Sequence, residues 1–176
     1  MNRHQGMLMI GAALLLGTQA LYAQTCNGSI TATAPDSRYT DHGNGTVTDN
    51  QTGLMWKQCS EGLTTTSTPC DTDSVASYSW QDALTQAQTV NSSGFAGYND
   101  WRLPNRNELA SLVERRCYRP AINATLFPAT RGSYYWSSSP YADNSGNAWG
   151  VHFYHGYVNS SGKGDAFYVR LVRGGQ

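Results

Sequence analysis

The chain has 176 residues, and its 12 Lys and Arg are balanced by 12 Asp and Glu, with charged residues making up only 14%. This balance excludes a typical nucleic-acid binder, because such a protein needs a strongly basic face to neutralise phosphates. Gly is abundant, and there are 11 Tyr and 5 Trp residues. This composition is typical of a loop-rich, β-containing extracellular module rather than a helical bundle.

The N-terminal segment has the pattern of a secretory signal peptide. Arg3 precedes the apolar run MLMIGAALLLG, and the segment ends at the small residue Ala23. The run is shorter than the ~20 apolar residues that a membrane span needs. We therefore expect residues 1–23 to be removed, and residues 24–176 to form one exported domain with no transmembrane span. A retained N-terminal anchor is the alternative.

All four cysteines lie after the expected cleavage point, and an even number in an exported chain predicts two disulfides with three possible pairings. Cys59 and Cys70 flank a short polar stretch, and closing that loop would contribute roughly 3 kcal/mol. We therefore expect Cys59 to pair with Cys70, and Cys26 with Cys117. A metal site is the weaker interpretation, because no C-x-x-C pair is present.

Two elements are predicted in the first half of the domain. Residues 39–59, YTDHGNGTVTDNQTGLMWKQC, alternate β-rich runs with turn signals and predict a short meander. Residues 77–91, SYSWQDALTQAQTVN, place apolar side chains at helical spacing. Ser79 stands three residues before Asp82, which predicts an N-cap, and the helix should stop near NSSGFAG.

A second helix and a set of strands are predicted in the remainder. Asn105 and Glu108 form an N-terminal capping pattern, and the apolar stripe that follows predicts about three turns ending near Cys117. The strands are YYWSSS, AWGVHFY, GYVNSS and AFYVRLV, separated by Gly, Asn and Asp. Two helices between an N-terminal meander and C-terminal strands predict a loop-rich α+β domain.

Four motifs, in this order, resemble one family of exported bacterial domains: HGNGTVTDNQTGLMWKQC, YNDWRLPNRNEL, YYWSSSPYA and YVRLVRGG. The family is called DUF1566 and is also named for the C-terminal domain of the Legionella collagen-like protein. The resemblance covers roughly residues 36–174. It implies a C-type-lectin-like fold with two helices packed on short antiparallel sheets, in which the final strand pairs beside N-terminal strands. It also implies adhesion to sulfated glycosaminoglycans, or a variable receptor of a diversity-generating retroelement.

The sequence offers little for catalysis or metal binding. No G-x-S-x-G elbow is present. His152 and His155 would be the base or ligands of a hydrolase, but we favour exposed polar positions on a strand and a turn. Oxygen ligands for calcium would come from Asp71 with Asp73, or from Asp143 with Asn144, yet short acidic residues more often form turns. We expect no enzyme activity, no cofactor and no metal.

Two surfaces are candidates for ligand contact. The candidate contacts for sulfate groups are Arg106, Arg115, Arg116 and Arg119; a solvated helix end is the alternative. The closing third mixes Tyr with Ser, Gly and Asn, as antibody loops do; an ordinary wet β-surface is the alternative. Its candidate ligand contacts are Asp143, Asn144, Asn147, His152, Tyr154, His155, Tyr157 and Asn159.

These observations predict an exported bacterial binding module that is secreted, periplasmic or held at the cell surface. Its expected partner is a glycan, with glycosaminoglycans as one class, or a protein, and it would act as an adhesin or receptor. The alternatives are a structural domain of an envelope assembly and a retroelement-diversified receptor, with a hydrolase less favoured.

Overall fold

A computed structural model of the chain describes residues 23–63, Cys70 and residues 75–174. The predicted signal peptide, apart from Ala23, lies outside the described residues, and so do Asp71 and Asp73. Neither helix in the described part has the length and apolar composition needed to cross a bilayer.

The described residues form two α-helices and three antiparallel sheets, which confirms the predicted α+β, loop-rich class. The helices are α1 (Trp80–Ser93) and α2 (Arg106–Ala110), and a 3-10 turn covers Asp36–Arg38. The strands are β1 (Thr25–Cys26), β2 (Tyr39–Asp41), β3 (Thr46–Asp49), β4 (Met55–Lys57), β5 (Cys117–Tyr118), β6 (Tyr134–Pro140), β7 (Asn147–His152), β8 (Tyr157–Gly162) and β9 (Val172–Arg173). The sheets have the orders β1-β5, β2-β3-β4-β9 and β6-β7-β8.

The predicted meander is present as β2, β3 and β4, and the last strand, β9, joins its open side. Trp56 of β4 pairs with Val172 of β9, so the C-terminal strand lies beside N-terminal strands as expected. Both residues are fully buried, which anchors β9 in the core. The lectin-like assignment itself stays a prediction.

Helix α1 begins and ends where the sequence predicts. The Ser79 hydroxyl accepts a hydrogen bond from the backbone N–H of Asp82, and Gly94 ends the helix at a positive φ of 71°. Its buried face, Ala83, Ala87 and Val90, packs into a hydrophobic cluster that also contains Trp101.

The predicted three-turn second helix is wrong, because α2 covers only Arg106–Ala110. Its capping box between Asn105 and Glu108 is present as expected. Beyond Ala110 the backbone tightens: the N–H groups of Leu112 and Val113 donate to carbonyls three residues earlier. Glu114 then turns inward, where its carboxylate accepts backbone hydrogen bonds from the segment before β2. The apolar stripe is buried all the same, but only Leu109 lies on the helix, while Leu112 and Val113 lie on the turns that follow it.

The final predicted strand, AFYVRLV, is also only partly formed. Phe167 and Tyr168 make single bridges to Tyr78 and Tyr135, and only Val172–Arg173 forms a strand. The reason is that this segment runs between two hydrophobic clusters and its side chains pack into both. Phe167, Val169 and Leu171 join the cluster of α1, while Tyr168 and Val172 join the other, around Trp56 and Tyr135.

Both predicted disulfides, Cys26–Cys117 and Cys59–Cys70, are present, and no described cysteine is free. The first closes a sequence separation of 91 residues and joins β1 to β5. Two disulfides are typical of a protein that matures in an extracellular or periplasmic compartment.

Candidate functional site

Seven of the eight predicted ligand contacts fall into two groups at opposite ends of β7. His152, Tyr154, His155 and Tyr157 lie at the end of β7 and the beginning of β8. Asp143, Asn144 and Asn147 lie before and at its start. Five residues of strand, at about 3.4 Å each, separate the two ends by roughly 17 Å. One small ligand therefore cannot contact both groups.

The first group is organised by strand register. Tyr134 of β6 pairs with His152 of β7, which pairs with Tyr157 of β8, so the three rings stand side by side on one sheet face. The His152 ring stacks on Tyr157 with centroids 5.0 Å apart and meets Tyr134 edge to face at 4.4 Å. The Tyr134 hydroxyl donates to the Tyr157 hydroxyl at 3.1 Å.

The row of rings continues through the turn between β7 and β8. Tyr154 contacts the His152 ring at 6.3 Å and the His155 ring at 4.4 Å, and His155 stacks on Tyr118 of β5 at 6.4 Å. The Arg119 guanidinium lies 5.1 Å from the Tyr154 ring centroid and donates to the Tyr154 hydroxyl. We name the connected rings the aromatic face; its members are Tyr118, Tyr134, His152, Tyr154, His155 and Tyr157.

The aromatic face combines packed and solvent-facing rings. Tyr157 is 43% exposed and Tyr118 is 40% exposed. Tyr134 is half-buried because Phe167 stacks on its other side at 4.7 Å. The rings are therefore held by their neighbours while three of them, Tyr118, His155 and Tyr157, present area to solvent.

The position of the turn depends on Gly156. This residue has a φ of +75°, a left-handed conformation that side-chain-bearing residues rarely adopt. A Cβ there would lie 2.5 Å from Cγ1 of Val113 and 3.2 Å from Cβ of Ala121. Glycine therefore lets the turn sit directly on the core, and this places Tyr157 opposite His152.

The electrostatics of the face favour the neutral form of His152. Burial lowers the pKa of His152, and the nearby His155 lowers it further. Its Nδ1 accepts a hydrogen bond from the backbone N–H of Tyr154 at 3.2 Å, which fixes the ring orientation. On Tyr157, the hydrogen bond with Tyr134 and burial raise the pKa of the phenol.

The lowered pKa of His152 predicts a loss of stability in mild acid. The unfolded chain takes up a proton near the ordinary pKa of 6.5, while the folded chain resists it, so the free energy of unfolding falls as the pH drops through that range. Urea unfolding at about pH 7.5 and about pH 5.5 should show a smaller fall for His152→Gln than for the wild type. Equal falls in the two proteins would contradict the lowered pKa.

The second predicted group is a turn. The Tyr141 hydroxyl donates to Asp143 at 3.0 Å, and the Asn144 side chain accepts from the backbone N–H of Gly146 at 2.9 Å. These contacts form a turn, which is the role that the sequence analysis favoured over calcium binding for Asp143 and Asn144. Across the described residues, no three His, Cys, Asp or Glu side chains gather to hold a metal ion. Asn159 is exposed on β8, opposite Gly150 of β7.

The four candidate arginines have different environments. Arg115 is exposed, and Arg116 lies 4.0 Å from the buried carboxylate of Glu114. Arg119 lies on the aromatic face, and Arg106 packs over Trp149 at the other end of the three-stranded sheet. Their contacts therefore do not bring the four together into one basic patch.

Three important residues were not singled out from the sequence: Tyr118, Tyr134 and Trp149. Tyr134 stands in the predicted strand YYWSSS, but its place beside His152 depends on register between strands, which one sequence does not reveal. Tyr118 follows Cys117, whose disulfide and strand bring it near the turn. The position of a Tyr directly after a disulfide-bonded Cys was the available signal.

Comparison with protein families and with curated proteins gave one result. No curated protein matched the chain. A family model for the Lcl C-terminal domain matches residues 45–173, which is well over half of the chain and includes both α-helices and every strand from β3 to β9. The match agrees with the resemblance carried by the four sequence motifs. The chain belongs to the Lcl C-terminal domain family.

Proposed function

We propose that this chain is an exported binding module that holds a glycan on its aromatic face and performs no covalent reaction. The observation that carries the proposal is the row of six connected rings, which spans four strands and a turn and leaves Tyr118 and Tyr157 40% and 43% exposed. The predicted contacts Asp143 and Asn144 belong to a turn at the other end of β7 and are not part of this site.

The chemistry of the face suits sugar rings. The apolar C–H faces of a sugar stack on aromatic rings, while phenol and imidazole groups exchange hydrogen bonds with sugar hydroxyls. Tyrosine provides this contact at a low entropic cost because it has only two side-chain torsions. Contacts such as Tyr134 with Phe167 and His152 with Tyr157 hold the rings in place before a ligand arrives, which favours binding.

The surroundings of the two histidines support binding over hydrolysis. A hydrolase needs a nucleophile hydrogen-bonded to a base that a third group orients. Within the described residues, neither His152 nor His155 hydrogen-bonds to a Ser hydroxyl or a carboxylate, and both contact tyrosine rings. The histidines therefore contribute ring area and hydrogen-bonding nitrogen atoms to the proposed site.

The proposed location is outside the cytoplasm: secreted, periplasmic or at the cell surface. Two disulfides support this, because thiols remain reduced in the cytosol. The signal-peptide pattern in residues 1–23 supports it as well. An adhesin or receptor role follows from a glycan-binding surface in that location.

Binding to a glycan array tests the proposal. We expect the wild type to bind at least one class of neutral glycan, and Tyr157→Ala to weaken that binding about tenfold, because an aromatic contact contributes about 1.4 kcal/mol. Tyr141→Ala is the matched control, since Tyr141 also lies at the surface but contacts Trp149 at the other end of the sheet.

Two outcomes would contradict the proposal. One is an array without signal at low salt, and the other is an equal loss in the Tyr157 and Tyr141 variants. In the first case, capture of a protein partner from an envelope extract would favour the alternative role in an envelope assembly.

A further inference from the structure

The chain contains the dipeptide Asn-Gly twice, as Asn27–Gly28 and as Asn44–Gly45. In such a pair the backbone nitrogen of the glycine attacks the side-chain amide carbon of the asparagine, because glycine has no side chain to hinder the approach. The attack closes a five-membered succinimide ring and releases ammonia. Its rate depends on how easily the peptide between the two residues rotates, so the two sites can be compared directly.

The amide carbons of both asparagines are polarised in the same way. Oδ1 of Asn27 accepts a hydrogen bond from the backbone N–H of Ser29 at 2.9 Å. Oδ1 of Asn44 accepts from the backbone N–H of Thr46 at 3.2 Å and from the Thr46 hydroxyl at 2.6 Å. A hydrogen bond to this oxygen makes the amide carbon more electrophilic at each site. This local contact therefore does not distinguish the two sites.

Asn44–Gly45 is fixed by the hairpin between β2 and β3. Gly45 is buried at a φ of +84°, and its carbonyl accepts from the backbone N–H of Gln58 at 2.9 Å. Thr46, the first residue of β3, is fully buried and pairs with Lys57 of β4. Rotation of the Asn44–Gly45 peptide would pull Gly45 and Thr46 out of these positions. The hairpin must therefore open before the ring can close.

Asn27–Gly28 lies on an exposed turn instead. Residues 25–31 are all exposed, and no atom lies within 4 Å of the position that a Cβ on Gly28 would take. The Asn27 N–H donates to the carbonyl of Arg116, and the Asn27 carbonyl accepts from the N–H of Ile30 at 3.2 Å. Rotation of the Asn27–Gly28 peptide therefore disturbs exposed turn contacts and leaves the core packing in place.

We propose that Asn27 is a site of spontaneous deamidation in the folded protein, and that the hairpin protects Asn44 from the same reaction. The Gly28 nitrogen loses its proton and bonds to Cγ of Asn27; the Cγ–Nδ2 bond breaks, and Nδ2 takes up a proton and leaves as ammonia. Water then opens the ring at either carbonyl carbon and yields aspartate or isoaspartate. This modification goes beyond the proposed function, because neither asparagine belongs to the aromatic face.

The product alters the segment beside the first disulfide. Either ring opening places one negative charge at residue 27, and isoaspartate also adds one carbon atom to the main chain there. The neighbouring Cys26 is bonded to Cys117, so β1 remains attached to β5 while the turn rearranges. We therefore expect a folded but more acidic form to accumulate during storage, and anion-exchange chromatography should separate it from the unmodified protein.

Storage of the folded protein at mildly alkaline pH tests the inference. Trypsin cleaves after Arg38 and Lys57, so the two sites fall on different peptides after reduction, and mass spectrometry measures the conversion of each. We expect Asn27 to convert at least about tenfold faster than Asn44 in the folded protein. In the reduced chain unfolded in urea, the two rates should agree within about twofold, because the hairpin is absent. Labelling by an isoaspartyl methyltransferase identifies the isoaspartate product independently.

Gly28→Ala is the matched variant. Gly28 does not have a positive φ, and a Cβ there meets open space, so alanine fits the fold while its side chain hinders the attack. We expect conversion of Asn27 to slow about tenfold, with Asn44 unchanged.

Four results would overturn the inference. In the folded protein these are equal rates at the two sites, a faster conversion of Asn44, and no conversion of Asn27 over a time that converts the unfolded chain. The fourth is an unchanged rate at Asn27 in Gly28→Ala, since the Gly28 nitrogen would then not be the attacking group. Thermal unfolding of the variant before storage verifies that it is folded.

Discussion

Replacing Arg170 by alanine is expected to lower the free energy of unfolding by about 4 kcal/mol, the largest loss of any single substitution proposed for this chain. Arg170 lies in the segment that connects the two hydrophobic clusters, and its side chain is completely buried. The cost combines a large cavity with buried polar partners that lose their hydrogen bonds.

The contacts of Arg170 explain this magnitude. Its terminal nitrogen atoms donate to the backbone carbonyls of Lys57 and Gln58, at the end of β4, and to the hydroxyls of Ser60 and Thr130. Its guanidinium also lies 5.0 Å from the Phe127 ring centroid. These bonds tie the C-terminal segment to the chain around the end of β4, and alanine leaves each acceptor buried without its donor.

Urea unfolding of Arg170→Ala measures the loss. The exposed Arg115→Ala is the control, and we expect it to change the free energy of unfolding by less than about 0.5 kcal/mol. A loss below about 1 kcal/mol for Arg170→Ala would mean that the hydrogen bonds of the buried guanidinium contribute little to holding the C-terminal segment against the end of β4.

Replacing Gly156 by alanine is the second large effect, with an expected loss of about 3 kcal/mol. Part of the cost is the positive φ, which alanine tolerates poorly. The larger part is steric, because the new Cβ would lie 2.5 Å from Val113 in the core. The turn between β7 and β8 must move outward to relieve this overlap.

Gly43→Ala separates the two contributions. Gly43 also has a positive φ, +67°, but no atom lies within 4 Å of the position that a Cβ would take, so only the conformational cost of about 1 kcal/mol applies. Because the moved turn carries Tyr157 away from His152, Gly156→Ala should also weaken glycan binding at temperatures where it remains folded. Equal losses of stability in the two glycine variants would contradict the close packing of the turn on Val113.

The parts of the fold that the sequence predicts well are set by local chemistry. Turn residues such as Gly45 and Gly53 separate the strands of the meander, and Ser79 and Gly94 delimit α1. The pairing of Cys59 with Cys70 follows from their closeness in the chain. Each of these signals depends on residues that are close in the chain. Contacts with distant parts of the chain therefore left the predicted local structure unchanged.

The parts that the sequence predicts less well depend on contacts distant in the chain. Helix α2 ends early because Glu114 turns toward the backbone of Thr33 and Ala34, about eighty residues away. The apolar residues of the last segment alternate as in a strand, but both faces of the segment are buried. Phe167 and Tyr168 therefore pack into different hydrophobic clusters. No local pattern encodes these partners.

The candidate site shows the same division. Residue types in the closing third predicted an aromatic and polar surface, and four of those residues do meet at one end of β7. Strand geometry separates Asn144 and Asn147 from them, and strand register adds Tyr134. Residue types therefore identified the surface, while the pairing of strands determined which members meet.

The most direct test of glycan binding at the aromatic face is an NMR titration of the wild type with the strongest neutral glycan from the array, observed through the aromatic side-chain signals. We predict saturable shifts of Tyr118, His152 and Tyr157, with Tyr39, which is buried beside Phe127, unchanged. Shifts that avoid the aromatic face while the glycan binds elsewhere on the domain would contradict this assignment.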